Sequence, residues 1–220
     1  METRTALVAG ASGLVGGLLL DALLESPTYR EVCSLGRRPL PKEHPKLTQR
    51  TVDFARLEAE ALPASDDAFC CLGTTIKKAG SQEAFRAVDY DAVLAFAQAA
   101  RKAGARRFLV VTALGADARS RVFYNRVKGE VEAALQGVGF ESLVILRPSL
   151  LLGDRAEKRT GEHAAILVSK VLGPLLRPFG GRPIEARTVA QAMLALAQSA
   201  PAGVRVVPSG ELQTLGGAGR

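Results

Sequence analysis

TALVAGASGLVGGLLL, residues 5–20, decides the fold of this 220-residue chain. Its short apolar run, residues 5–9, is followed by glycines at positions 10, 13 and 16 and then by a run of helical length. Strand, glycine-rich turn and helix in this order typically open a parallel α/β unit, in which backbone N–H groups at a helix N-terminus can hold a diphosphate. The stretch therefore predicts a dinucleotide-binding turn.

Each glycine of the turn has an expected role. Gly10 makes the turn, Gly13 lets the backbone approach the diphosphate, and Gly16 lets the helix pack closely on the sheet. The alternative is a tight turn that only packs a helix on a sheet. The expected phosphate-binding residues are Gly10, Ser12, Gly13, Leu14, Val15 and Gly16.

Strand-like and helix-like runs alternate along the rest of the chain. The strand-like runs are short and apolar without polar alternation, which favours strands buried on both faces. This pattern predicts an α/β fold with a Rossmann-type, doubly wound parallel sheet and helices on both faces. Strands are expected at residues 5–9, 31–36, 47–53, 68–72, 107–112, 142–146 and 204–207, and helices at residues 14–25, 81–103 and 120–136.

Residues 1–220 are predicted to form one domain. Glycine and proline become frequent after Pro148, and residues 150–187 are expected to form a small C-terminal cap on the substrate side. The helical spacing of apolar residues 164–176 favours packing in the core or in a homodimer over contact with a membrane. Residues 215–220, LGGAGR, are expected to be a frayed tail.

The net charge of +7 and the pI of about 9.7 raise the question of an anionic partner. The 29 Lys and Arg residues are scattered, and eight Phe, three Tyr and no Trp offer little stacking surface for single-stranded nucleic acid. We therefore expect no nucleic acid partner. An anionic cofactor and a generally basic surface explain the charge more simply.

Cysteines and histidines limit the chemistry further. Cys70 and Cys71 are adjacent in a predicted strand, so their side chains should lie on opposite faces of the sheet. His44 and His163 have no partner at ligand spacing, so no metal site is expected. Without CxxC spacing, a visible signal peptide or an apolar segment of about 20 residues, the sequence predicts a cytoplasmic protein with no stable membrane insertion.

Candidate cofactor contacts follow the next three predicted strands. Arg37 and Arg38 follow the second strand, where a carboxylate would suit NAD and a guanidinium suits the 2′-phosphate of NADP. Asp53, beside Phe54, follows the third strand and can accept a hydrogen bond from the adenine amino group. Solvated arginines and ordinary loops are the alternatives. The expected contacts after the fourth strand, near the ribose, are Leu72, Gly73, Thr74 and Thr75.

Tyr124 and Lys128 share one face of the helix predicted after the fifth strand. A tyrosine with a pKa of about 10 needs a nearby cation to act as an acid–base group near neutral pH, and Lys128 would supply that charge and hold the nicotinamide ribose. Thr112, at the end of the fifth strand, is the candidate for polarising a substrate carbonyl. The alternatives are an exposed i,i+4 pair and a threonine chosen for β-propensity.

Several segments resemble the short-chain dehydrogenase/reductase superfamily, and most closely its atypical members related to the Tat-interacting protein and its bacterial homologues. The resemblance implies an NADP(H) site, a Ser/Thr–Tyr–Lys arrangement of Thr112, Tyr124 and Lys128, and a position for Pro148 and Ser149 beside the nicotinamide. The resembling segments are GASGLVG (10–16), LGRRPL (35–40), VDF (52–54), CLGTTIKKAGS (71–81), VDYD (88–91), VVTALGAD (110–117), YNRVKGEVE (124–132), LRPSLLLGDR (146–155) and IEARTVAQAM (184–193).

The leading hypothesis is an NADP(H)-dependent oxidoreductase acting on a small carbonyl or alcohol substrate. A second hypothesis is a non-catalytic NADP(H)-sensing interaction protein, because relatives often have Ser-Ser where this chain has Thr112-Ala113. If the working hydroxyl belonged at position 113, this chain would lack it. A nucleotide-sugar epimerase ranks third, because 220 residues leave little room for a sugar-nucleotide domain.

Overall fold

The computed structural model describes residues 3–153, 182–199 and 201–217. The strands of this part of the chain are β1 (Arg4–Ala9), β2 (Tyr29–Gly36), β3 (Leu47–Thr51), β4 (Asp67–Cys70), β5 (Arg107–Val111), β6 (Ser142–Arg147), β7 (Leu151–Leu152), β8 (Ile184–Glu185) and β9 (Gly203–Pro208). Seven of them form one parallel sheet in the order β3-β2-β1-β4-β5-β6-β9, and β7 and β8 pair separately.

Helices connect most of these strands. The helix expected at residues 81–103 is a nearly continuous run in which a π-helical segment, Ala87–Asp91, joins two α-helices. A 3₁₀ helix, Phe54–Ala59, follows β3. The α-helices are α1 (Leu14–Glu25), α2 (Ile76–Ala79), α3 (Gln82–Arg86), α4 (Ala92–Lys102), α5 (Phe123–Gln136), α6 (Ala186–Ser199) and α7 (Ser209–Gly217).

Helices cover both faces of the sheet. One apolar core joins the sheet to α1, α6 and α7, and a second joins it to α4 and α5. Cys71 packs against the first core and Cys70 lies in the second, as the period of a strand requires. The expected doubly wound Rossmann-type sheet is confirmed.

The strand order reverses at β1, and this reversal determines where a crevice opens at the edge of the sheet. The chain goes from β1 outward to β2 and β3, and then returns to place β4 on the other side of β1. Ala9 pairs with Leu35 of β2 and Cys70 of β4, so these strands end close together. In a doubly wound sheet, such a reversal opens a crevice at the carboxyl ends of the strands.

A frayed tail was predicted at residues 215–220. This prediction is wrong for the residues of the tail that the structure describes. Residues 215–217 end helix α7. A Cβ on Gly216 would lie 2.0 Å from the carbonyl oxygen of Thr188, so this glycine lets α7 pack directly on α6. Most of the cap predicted at residues 150–187 lies outside the described residues.

Candidate functional site

A cleft of about 1270 Å³ lies along the carboxyl edge of the sheet, and we call it the carboxyl-edge cleft. It reaches from the glycine turn after β1 to the end of β4 and the first turns of α5. Most of the residues predicted to form the site are thereby brought together from four segments. Those that line the cleft are Ser12, Gly13, Leu14, Val15, Leu72, Gly73, Thr74, Thr75, Thr112, Tyr124 and Lys128.

The glycine turn brings the backbone of β1, α1 and the loop after β4 into close contact. Gly10 has φ +87°, and a Cβ there would lie 2.5 Å from the carbonyl carbon of Cys71. A Cβ on Gly16 would lie 2.2 Å from the carbonyl oxygen of Gly10, so this glycine sets how closely α1 approaches the turn. Gly13 caps α1 without a side-chain hydrogen bond. The first N–H groups of α1 therefore have no side-chain acceptor at the cap, which fits an anionic ligand.

Two arginines directly follow β2. Arg37 and Arg38 are exposed, and neither side chain has a hydrogen bond or ion pair to another described residue. The cleft wall itself is formed here by Leu40, Pro41 and Lys42, and Lys42 forms an ion pair with Asp21 of α1. Arg37 and Arg38 are not among the described residues that line the cleft, and their predicted contact with a 2′-phosphate stays a prediction.

Asp53 and Phe54 have local structural roles. The Asp53 carboxylate accepts a hydrogen bond from the N–H of Ala55 at 3.0 Å and caps the 3₁₀ helix. Phe54 packs partly buried against the core on the α4 side. Neither is among the described residues that line the cleft. The Asp53 carboxylate is exposed, and its predicted contact with adenine stays a prediction.

A buried ion pair holds Lys128. Its Nζ lies 2.7 Å from Oδ1 of Asp89, and the two side chains are 5% and 0% exposed. The other carboxylate oxygen of Asp89 accepts from the N–H of Thr74 at 2.9 Å, which connects the loop after β4 to the same pair. Burial opposes the charge of Lys128, but the Asp89 carboxylate together with Tyr124 and Cys70 outweighs it, and the pKa of the ammonium group is raised above its ordinary value.

The surroundings of Tyr124 favour its protonated form, which differs from part of its expected role. Its ring packs against Phe85, with ring centroids 5.4 Å apart. Burial raises the pKa of the Tyr124 phenol; Lys128 lowers it, and Asp89 raises it further. The expected effect of Lys128 on its own is therefore outweighed, because burial and a nearby carboxylate both disfavour phenolate. At neutral pH Tyr124 carries its proton.

Thr112 does not take the predicted role of polarising a carbonyl. Its hydroxyl lies 2.6 Å from a carboxylate oxygen of Glu132 and 3.2 Å from the carbonyl oxygen of Leu146. A hydroxyl has one proton, and both of these neighbours are acceptors. Glu132 is also buried and forms an ion pair with Arg147 at the end of β6. Thr112 therefore ties β5 and β6 to α5 and has no proton left for a substrate.

Pro148 and Ser149 are also used within the fold. The carbonyl of Pro148 accepts from the N–H of Leu114 at 2.8 Å. The Ser149 hydroxyl donates to the carbonyl of Arg182 and accepts from the Ser209 hydroxyl at 2.9 Å. Neither is among the described residues that line the cleft, so the cofactor contact implied for them is not supported.

Three residues of the site were not predicted from the sequence. Asp89 lies in the resembling segment VDYD, and Glu132 ends the segment YNRVKGEVE. Tyr124, Lys128 and Glu132 recur every four residues on α5, and this spacing could have identified Glu132. Gly129 lets the loop after β5 cross α5, because a Cβ there would lie 2.1 Å from the N atom of Ala118.

Comparison with known proteins agrees with this geometry. A family model described as NAD(P)H-binding matches residues 10–200. The chain belongs to this NAD(P)H-binding family. Protein HTATIP2 from Rattus norvegicus is 38% identical over 200 residues, covering 88% of this chain and 81% of that protein. Protein FMP52, mitochondrial, from Eremothecium gossypii is 36% identical over 215 residues, covering 96% of each chain. The family is thus the atypical, HTATIP2-like branch of the short-chain dehydrogenases/reductases.

Solved structures similar to this member of the family show the same fold. The chain matches MoeE5 in complex with UDP-glucuronic acid and NAD at TM-score 0.71 and 19% identity, over 93% of this chain and 75% of that one. It matches a short chain dehydrogenase family protein from Francisella tularensis at TM-score 0.67 and 12% identity, over 96% and 99% of the chains. These likenesses confirm the Rossmann-type fold.

The predicted cytoplasmic localisation is wrong on this comparison. FMP52 relatives from Eremothecium gossypii, Coccidioides immitis and Emericella nidulans are named as mitochondrial proteins. The cysteines at positions 33, 70 and 71 are free, which does not distinguish the cytoplasm from other reducing compartments. Among the described residues, no helix has the length and apolar character needed to span a membrane.

Proposed function

We propose that this chain is an NADP(H)-dependent oxidoreductase that reduces a small carbonyl substrate. One observation carries the proposal: Tyr124 and the Lys128–Asp89 ion pair line the same cleft as the glycine turn. When bound, the nicotinamide cofactor supplies the hydride. The residues of the chain supply binding, orientation and the proton.

The preference for NADP(H) over NAD(H) rests on Arg37 and Arg38. Both are exposed at the end of β2 and have no carboxylate partner among the described residues. A guanidinium group matches the oxygens of a 2′-phosphate, whereas a carboxylate at this place would accept from a 2′-hydroxyl. These arginines therefore favour the phosphorylated cofactor.

Proton transfer is assigned to Tyr124. Its phenol donates a proton to the carbonyl oxygen as negative charge develops there during reduction. Lys128 holds a positive charge near Tyr124 and offers N–H donors to ribose hydroxyls, and Asp89 fixes its position. Because the pKa of Tyr124 is raised, reduction should keep its rate from pH 6 to about 9 and fall only above the ordinary tyrosine pKa of about 10.

The test is Tyr124→Phe, assayed with NADPH on a panel of aldehydes and ketones. We expect kcat to fall by about 10²- to 10⁴-fold while NADPH affinity stays within about twofold, since only the proton donor is removed. Tyr90→Phe is the matched control, because Tyr90 contacts Arg86 and is not among the described residues lining the cleft. Unchanged turnover in Tyr124→Phe would refute the assignment.

A second candidate function, a non-catalytic NADP(H) sensor, is favoured by the state of Thr112. Its hydroxyl faces Glu132 and Leu146, and Ala113 has no hydroxyl to replace it. A substrate carbonyl would then have Tyr124 as its proton donor, and neither Thr112 nor Ala113 would offer a second hydroxyl to polarise it. If the chain binds NADPH tightly but no aldehyde or ketone of the panel oxidises the bound NADPH, the result favours the sensor function.

A further inference from the structure

A second cleft, of about 880 Å³, lies at the opposite edge of the sheet, and we call it the arginine cleft. It is formed at the amino ends of β1, β2, β4 and β5, so these strands separate it from the carboxyl-edge cleft. Four arginines line it, together with one carboxylate. The charged residues of its wall are Arg4, Arg30, Arg106, Arg107 and Asp66.

Two of the arginines are held in place by a buried carboxylate. Asp67 is 0% exposed and forms an ion pair with Nε of Arg107, while Nη1 of Arg4 lies 3.6 Å from its other oxygen. The Tyr29 hydroxyl donates to the same oxygen at 2.7 Å. Arg4 also donates to the carbonyl of Ala197 at 3.0 Å. These guanidinium groups are therefore fixed at the cleft before any ligand arrives.

The fold does not require the other two arginines in the same way. Arg30 donates one hydrogen bond to the carbonyl of Thr3, and Arg106 has no side-chain partner among the described residues. Asp66 already accepts from the N–H and the hydroxyl of Thr5, at 2.8 and 3.1 Å. Among the described residues, four arginine charges face two carboxylates, Asp66 and the buried Asp67, so two positive charges are left over.

We infer that the arginine cleft binds a small anion carrying two or more phosphate groups. Guanidinium groups donate paired hydrogen bonds to phosphate oxygens, and an anion with at least two charges neutralises the surplus. A nucleic acid fits less well, because the described residues of the lining include no aromatic side chain for stacking. The site is independent of the proposed oxidoreductase function.

The test is a calorimetric titration of the full chain, saturated with NADPH, with sodium pyrophosphate. We expect one binding event per chain. In Arg30→Gln/Arg106→Gln its Kd should rise about tenfold or more, because two phosphate-facing guanidinium groups are removed. Both residues lie outside the carboxyl-edge cleft, so NADPH affinity should stay unchanged.

The matched control is Arg56→Gln/Arg119→Gln, which removes the same charge from exposed positions outside the arginine cleft. Its Kd for pyrophosphate should stay within about twofold of the wild type, since a general loss of surface charge is screened by salt. The inference would be overturned by wild-type protein without saturable binding, or by equal losses in the two double variants. If the wild type does not bind NADPH, this result counts against the oxidoreductase proposal alone. The pyrophosphate affinities of the two double variants can then be compared without NADPH.

Discussion

The two ends of the carboxyl-edge cleft are built in different ways. At the turn after β1, glycines spaced three residues apart shape the backbone, and a Cβ on Gly10 or Gly16 would meet backbone atoms within 2.5 Å. At α5, buried side chains pair with partners on other segments, Lys128 with Asp89 and Glu132 with Arg147. One end depends on local backbone conformation, and the other depends on buried charge pairs.

This difference has a consequence for how each end responds to mutation. A change at the turn should affect nucleotide binding through steric overlap. A change at the α5 end should affect stability and turnover through unpaired charge, with less effect on the turn. Variants that separate these outcomes test whether the two ends are independent.

The largest expected effect is that of Asp89→Asn. It leaves the ammonium group of Lys128 buried without a carboxylate, which should lower the free energy of unfolding by about 3 to 5 kcal/mol. Urea unfolding at pH 7 measures this, and Asp91→Asn, two residues away and exposed, is the control. If Asp89→Asn lowers the free energy of unfolding by less than Asp91→Asn does, the result contradicts a stabilising role of the ion pair.

The same variant has a defined pH dependence. The pKa of Lys128 is raised in the folded protein, so the contribution of the pair is fully present below the ordinary lysine pKa of about 10.4 and is lost as the pH rises through the raised folded value. The contribution of the ion pair to the stability of the wild type should therefore be the same at pH 7 and 9 and decline only at more alkaline pH. In Asp89→Asn, burial without the carboxylate lowers the pKa of Lys128, so this variant should regain stability as the pH rises and its difference from the wild type should shrink.

The next effect is that of Gly16→Ala compared with Gly17→Ala. The new methyl group of Gly16→Ala would lie 2.2 Å from the carbonyl oxygen of Gly10, so we expect a loss of about 1 to 3 kcal/mol and greatly weakened NADPH binding. In Gly17→Ala the nearest atom is 3.4 Å away, an ordinary contact, and helix propensity makes the change neutral or stabilising. Equal NADPH affinities, measured by fluorescence titration, would contradict the role of the turn.

A smaller effect is expected for Glu132→Gln. The hydrogen bond from Thr112 becomes neutral and Arg147 loses its carboxylate, which should cost about 1 to 2 kcal/mol in thermal or urea unfolding. Because α5 is then less firmly held against β5 and β6, kcat should fall more than NADPH affinity. Glu130→Gln, on the same helix in half-exposed ion pairs, should change either quantity little. Identical behaviour of the two variants would remove Glu132 as a positioning residue.

The sequence predicted the sheet, its topology class and the turn, because these depend on short-range patterns. The apolar runs of β1, β4 and β5 are buried on both faces, and Gly10 has the positive φ that its position requires. Strand ends were less well predicted: β3 ends at Thr51, while its run was expected to reach Asp53, whose side chain caps the next helix.

The roles of individual polar side chains were predicted less well, because they depend on partners that are distant in the sequence. Thr112 lines the cleft as expected, but Glu132 and Leu146 take its hydroxyl. Lys128 was expected to lower the pKa of Tyr124, but burial, with a further contribution from Asp89, raises this pKa instead. Gly216 was assigned to a frayed tail, although its lack of a side chain permits a close helix contact.

The most direct test of the central claim is a pair of calorimetric titrations with NADPH and NADH. If the glycine turn binds a dinucleotide and Arg37 and Arg38 bind a 2′-phosphate, NADPH binds one per chain and at least about tenfold more tightly than NADH. In Arg37→Gln/Arg38→Gln that preference should disappear while NADH affinity is kept. A wild-type chain that binds neither nucleotide, or that prefers NADH, would contradict this account of the cleft.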